Sequence, residues 1–121
     1  MFRFLLWAVL LFTATVTATC NDTVDLDIFH KYENSFHQIL QNCATKSLGS
    51  AGPTAACLSQ ATGLTGDCAL CFGKDSSCSA RFCLAPCLKS PSSPSCLSCI
   101  HEHCYPDLVT CCGVNPSVLP P

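Results

Sequence analysis

Apolar residues recur at steps of three and four between Val24 and Cys43. Ile28, Tyr32, Phe36, Ile39, Leu40 and Cys43 share one face, so the pattern predicts an amphipathic helix. Asp22 or Thr23 can cap its start, and Asp25 and Asp27 suit the positive end of the helix dipole. Gly49 and Gly52 predict a turn. Pro53 fits a first helical turn, and Ala55 to Thr62 reads as a short helix closed by Gly63. Further on, short helices are predicted near 68–72, 78–85, 96–104 and 107–112, with Asp67, Ser77 and Ser95 as caps. Gly73, Pro86, Pro106 and the stretch from Ser90 to Ser95 punctuate them. Nothing alternates with period two over a useful length, so the expected fold is all-α.

The first eighteen residues follow a different pattern. Arg3 precedes an unbroken apolar run from Phe4 to Phe12, and small residues follow. This is the layout of a secretory signal peptide. A membrane-spanning helix needs roughly 17–25 apolar residues, and polarity returns here at Thr13. Val16-Thr17-Ala18 places small residues where the peptidase inspects them, so the mature chain is expected to begin at Thr19, outside the cell. Asn21-Asp22-Thr23 then forms an N-glycosylation sequon at Asn21.

Removing residues 1–18 leaves 121 − 18 = 103 residues, enough for one domain. It comprises an N-terminal helical segment (19–66), a cysteine-rich hairpin (67–113) and a flexible tail (114–121). The leader also takes with it much of the apolar excess behind the mean hydropathy of +0.36. The remaining charges are five basic against eight acidic, a net of 5 − 8 = −3. No basic stripe exists, which excludes nucleic acid and electrostatic docking on an anionic membrane. Thirteen cysteines change the picture more than the charge does. In an exported chain they form a disulfide framework that replaces a large core, each bridge contributing about 2–4 kcal/mol.

Their spacing predicts partners. Cys83 and Cys87 share a helix face, as do Cys96 and Cys99, and a Pro/Ser turn lies between the two pairs. Antiparallel arms bring together residues equidistant from the turn. Cys87 then faces Cys96 and Cys83 faces Cys99, followed outward by Cys78–Cys104, Cys71–Cys111 and Cys68–Cys112. Cys43–Cys57 staples the N-terminal helices. Other connectivities stay open, because Cys68, Cys71 and Cys83 also recur 28 residues later as Cys96, Cys99 and Cys111. Thirteen is odd, and Cys20, ahead of the first helix, is the candidate free thiol or intermolecular link, which would give a homodimer. Processing beyond Cys20 is the alternative.

The inner pairs resemble the cysteine-stapled helical hairpins of some plant defence peptides and protease inhibitors. The nested order, opened by Cys68-Ala69-Leu70-Cys71 and closed by Cys104 and Cys111, resembles saposin-like domains. The likeness is one of cysteine topology and carries over no activity. It adds a lipid- or membrane-binding module as an alternative, for which Phe29, Tyr32, Phe36, Ile39 and Leu40 would supply the apolar stripe.

Candidate chemistry is sparse. His101 and His103 beside Cys96, Cys99 and Cys104 have the residue types of a zinc site, which makes a secreted zinc protein a further alternative. Oxidised cysteines offer no thiolates, and histidines two apart leave a helix on different sides, so no metal and no cofactor are expected. The Cys68/Cys71 and Cys96/Cys99 pairs match a thiol-oxidoreductase spacing without its βαβ setting, and structural bridges are expected instead. His30 and His37, near Glu33, read as a solvated helix edge. The expectation is a non-enzymatic protein that binds an unknown extracellular protein, with 73–76 and 90–95 as contact loops.

Overall fold

The computed structural model describes residues 19–120, so the expected leader lies outside the described residues. Among them the chain is all-helical: α1 (Thr23–Lys31), α2 (Phe36–Lys46), α3 (Ala51–Thr62), α4 (Gly66–Phe82), α5 (Leu84–Lys89), α6 (Pro94–His103) and α7 (Tyr105–Cys112), then a 3-10 turn at Pro116–Val118.

The single helix expected over Val24–Cys43 is two. Asp22 caps α1, its carboxylate accepting from the Asp25 N–H at 2.8 Å. The chain turns at 32–35 before α2 begins. Packing explains the break. In one straight helix Phe29 and Phe36 would be about 10.5 Å apart along the axis, at 1.5 Å per residue. Here their ring centroids lie 5.8 Å apart, edge to face, and both meet Phe72 of α4 at 5.7 and 4.9 Å. Bending the chain brings both rings onto one partner. Leu58, Leu64 and Ala69 complete a core that buries Phe29 and Phe36 of the apolar stripe, while Tyr32, Ile39 and Leu40 pack half-buried against it.

α4 is also longer than the pattern predicts, because Gly73 does not end a helix. Gly73 sits buried in mid-helix where a Cβ would collide with the Ala51 carbonyl oxygen of α3. Its role is close approach between α3 and α4, and 73–76 is therefore helix rather than a contact loop. Residues 114–120 do not trail loosely either, since Leu119 is buried against the core.

Six disulfides hold this arrangement: Cys20–Cys68, Cys43–Cys57, Cys71–Cys111, Cys78–Cys104, Cys83–Cys99 and Cys87–Cys96. Four of them start from α4 or its C-cap, and α6–α7 returns antiparallel along it. Two expectations need correction. Cys68 bonds Cys20 and not Cys112, and the free cysteine is the buried Cys112. Cys20 is not a loose end ahead of the first helix. Instead the Thr19 hydroxyl donates to the Cys111 carbonyl at 2.6 Å, and the Cys20 N–H donates to the Cys112 carbonyl at 3.2 Å. These contacts carry the terminus into the core beside Cys68. With Cys20 fully buried in an internal bridge, the Cys20-linked homodimer falls away.

Candidate functional site: an apolar cavity between α2 and the α5–α6 hairpin

α2 and the α5–α6 hairpin lie against α4 without packing closely on each other. Two consequences of the sequence keep them apart. Cys43–Cys57 pulls α2 toward α3, while Cys83–Cys99 and Cys87–Cys96 bind the hairpin to itself and to the end of α4. Between them lies a cavity of about 730 Å³, within the roughly 300–1,000 Å³ typical of small-molecule sites.

The walls are mainly apolar. α2 contributes Leu40 and Ala44, α4 contributes Ala80, and α6 contributes Leu97 and Ile100. Leu48, Leu84 and Leu88 also line it, and with Leu97 they are four of the seven large apolar residues exposed on the described surface. Scattered single leucines on a surface need no explanation, but leucines gathered around one hollow mark a binding face. Leu48 bears two costs at once. It is 90% exposed, and its φ of +52° puts a γ-branched side chain in the left-handed region. The next residue, Gly49, is also left-handed and has no room for a side chain, because its Cβ would meet that of Ala80 at 2.7 Å. This close approach holds the 48–49 turn, and Leu48 with it, at the cavity rim.

Polar chemistry at the walls is confined to a few groups. Among the described residues neither Lys nor Arg lines the cavity, and its titratable residues are His37, Asp75, His101 and Tyr105. Burial pushes the Asp75 carboxyl up from 3.8 to about 6, since desolvation penalises the charged form. Both Asp75 Oδ1 and His37 Nε2 are buried without a hydrogen-bond partner. Each such atom costs about 1–3 kcal/mol, so two of them on residues that line one hollow are informative. His37 is thus not part of a solvated edge. His30, by contrast, is exposed and lies 3.8 Å from Glu33.

The zinc candidates do not converge. His101 stacks on Tyr105 at 5.0 Å and His103 on Phe82 at 5.9 Å, both exposed, while Cys96, Cys99 and Cys104 are all in disulfides. The sulfurs of Cys20, Cys71 and Cys112 lie within 4.8 Å of one another, but two of the three are bonded elsewhere and offer no thiolate. Asn21 is exposed, as a glycosylation acceptor needs to be, and the 90–95 stretch is a turn over 90–93 that runs into α6, with Pro91 reaching the cavity. The pattern along the chain did not reveal the cavity. The one available signal was that Leu84, Leu88 and Leu97 lie on short helices beside the half-cystines Cys87 and Cys96, which line the same hollow. No protein-family model, curated protein or solved structure matches this chain.

Proposed function

We propose that the chain is an exported, disulfide-stabilised binding protein that holds a small apolar molecule between α2 and the α5–α6 hairpin, without catalysis. The leader pattern of residues 1–18 and the six disulfides support an extracellular setting. One observation carries the binding reading: a hollow of about 730 Å³ rimmed by four exposed leucines. Covering apolar surface is worth about 25 cal/mol per Å², which gives a hydrocarbon ligand reason to enter. A cross-linked frame loses little entropy when it binds, and this favours a preformed site. The ligand is therefore a small lipid-like molecule rather than a protein.

The test is titration of the oxidised mature protein with a neutral naphthyl fluorophore. Saturable one-to-one enhancement is expected, displaced by a long-chain alcohol. Ala44→Trp and Leu97→Trp place an indole in the hollow and should abolish the signal while the helical circular dichroism persists. Linear, non-saturating fluorescence in the unmodified protein would reject the reading.

A further inference from the structure

The geometry points to a ligand of narrower class: a single-chain amphiphile with a primary ammonium head, seated against Asp75 and His37, its tail along the leucine-lined hollow. This rests on the binding reading above and adds the head group.

Two orphan atoms define the head-group end of the hollow. Asp75 Oδ1 and His37 Nε2 belong to residues on different helices, α4 and α2, that line the same cavity, and neither atom has a partner among the described residues. Two other polar wall groups are already engaged: Ser79 donates to the Asp75 carbonyl at 2.9 Å, and Thr45 to the Gln41 carbonyl at 2.8 Å. An ionised carboxylate only accepts hydrogen bonds, and the imidazole accepts at Nε2 when its proton sits on Nδ1. A head group that completes both must donate at least twice. A primary ammonium donates three times and also neutralises the carboxylate.

Charge selects in the same direction. Among the described residues Asp75 is the only acid that lines the cavity, and no lysine or arginine lines it to balance that charge. Its burial without a cation raises its affinity for a proton, and an ammonium ion would replace that proton. A fatty acid is selected against, because two carboxylates would face each other in a low-dielectric hollow. An alcohol donates only once and leaves one orphan atom unmet. The apolar walls exclude a small polar amine such as a free amino acid, which would bury no hydrocarbon.

Titration of Asp75 should therefore gate the site. Facing it are His37 from α2, His101 from α6 and Tyr105 from α7, together with Cys112 of α7, whose thiol feels its charge; α3 carries no ionising group, and α5 lines the cavity with none. Protonating Asp75 removes the attraction, so amine binding weakens on acidification. Asp75→Asn removes this dependence.

The experiment is isothermal titration of the full oxidised mature chain with dodecylamine, dodecanol and dodecanoate below their micelle-forming concentrations, at neutral pH and at pH 5. The amine is expected to bind at least tenfold more tightly than the other two at neutral pH. Asp75→Asn should erase that preference, bringing the amine to the affinity of dodecanol for the same variant. In the unmodified protein the amine should lose most of its advantage at pH 5, a readout that needs no variant. Equal affinity for the three ligands, or an amine preference that survives Asp75→Asn, overturns the head-group assignment and leaves the apolar site standing. If none of the three binds, the apolar site fails too.

Discussion

Asp25 on α1 is fully buried, and its carboxylate accepts two hydrogen bonds from Thr65, from the backbone N–H at 2.9 Å and from the hydroxyl at 2.6 Å. Thr65 is the N-cap of α4 but makes no cap bond of its own. Asp25 therefore does across forty residues what a local cap does within three, and satisfies an orphan donor at the start of α4. By its position Asp25 is a dipole-complementing residue of α1. In the fold it serves another helix.

Removing that carboxylate should therefore cost more than an exposed first-turn acid would. Asp25→Ala is expected to destabilise the protein by roughly 2–4 kcal/mol, since it strands a buried N–H and hydroxyl. Thermal unfolding monitored by circular dichroism measures it. Thr65→Val should cost less, because the backbone bond survives, and a double-mutant cycle should show coupling between the two positions.

Cys112 should be silent in the native protein. Its thiol is pushed up to about 12, first by burial, then by the nearby negative charges of Asp75 and Asp25. At neutral pH about one molecule in 10⁵ then carries the thiolate that attacks disulfides or alkylating agents. This matters because Cys112 lies within 4.8 Å of the bonded sulfurs of Cys20 and Cys71, where a thiolate would displace Cys68 or Cys111 and form a new bridge. Iodoacetamide should label no cysteine until the protein is unfolded, and then one. Cys20→Ser should redirect Cys68 to Cys112 during oxidative folding, which a disulfide-mapped digest would reveal as a single exchanged bridge.

Leu48 illustrates a residue placed against its own preference. Leu48→Asn relieves the left-handed backbone and the exposed hydrocarbon together, and is expected to hold or raise the unfolding midpoint. The same change should weaken binding of the naphthyl probe several-fold. A variant that gains stability and loses ligand would tie the strain to the site.

Stability should depend on pH through Asp75. Its carboxyl holds a proton more tightly in the folded state (about 6) than when unfolded (3.8), so proton-linked stability is present in full below 3.8 and is lost as pH rises through about 6. The gap corresponds to on the order of 3 kcal/mol. Asp75→Asn lacks this dependence. Its advantage over the unmodified protein should grow between pH 4 and pH 7 in urea unfolding, then level off.

The inner rungs of the ladder were legible for a geometric reason. In an antiparallel hairpin, distance from the turn dictates partnership, and Cys87–Cys96, Cys83–Cys99, Cys78–Cys104 and Cys71–Cys111 all obey it. Near the open end the rule fails, because a third chain segment arrives there. Cys20 takes Cys68, and adjacent Cys111 and Cys112 differ only in which side of α7 they leave. Periodicity found the core face of α1 and α2 but not the bend between them, which exists to seat Phe29 and Phe36 on Phe72. Gly73 misled for a similar reason, since in sequence a glycine needed for helix contact looks like one that ends a helix. The cavity was least legible. It is bounded by residues from His37 to Tyr105, and its walls form only once the disulfides have set α2 and the hairpin apart.

Methyl-resolved NMR tests the apolar site most directly. With the leucines labelled and dodecylamine added stepwise, the methyl signals of Leu48, Leu84, Leu88 and Leu97 should move together and saturate, while Leu58 and Leu64 in the core stay still. Shifts confined to other residues, or none before micelles form, would contradict a ligand site between α2 and the α5–α6 hairpin.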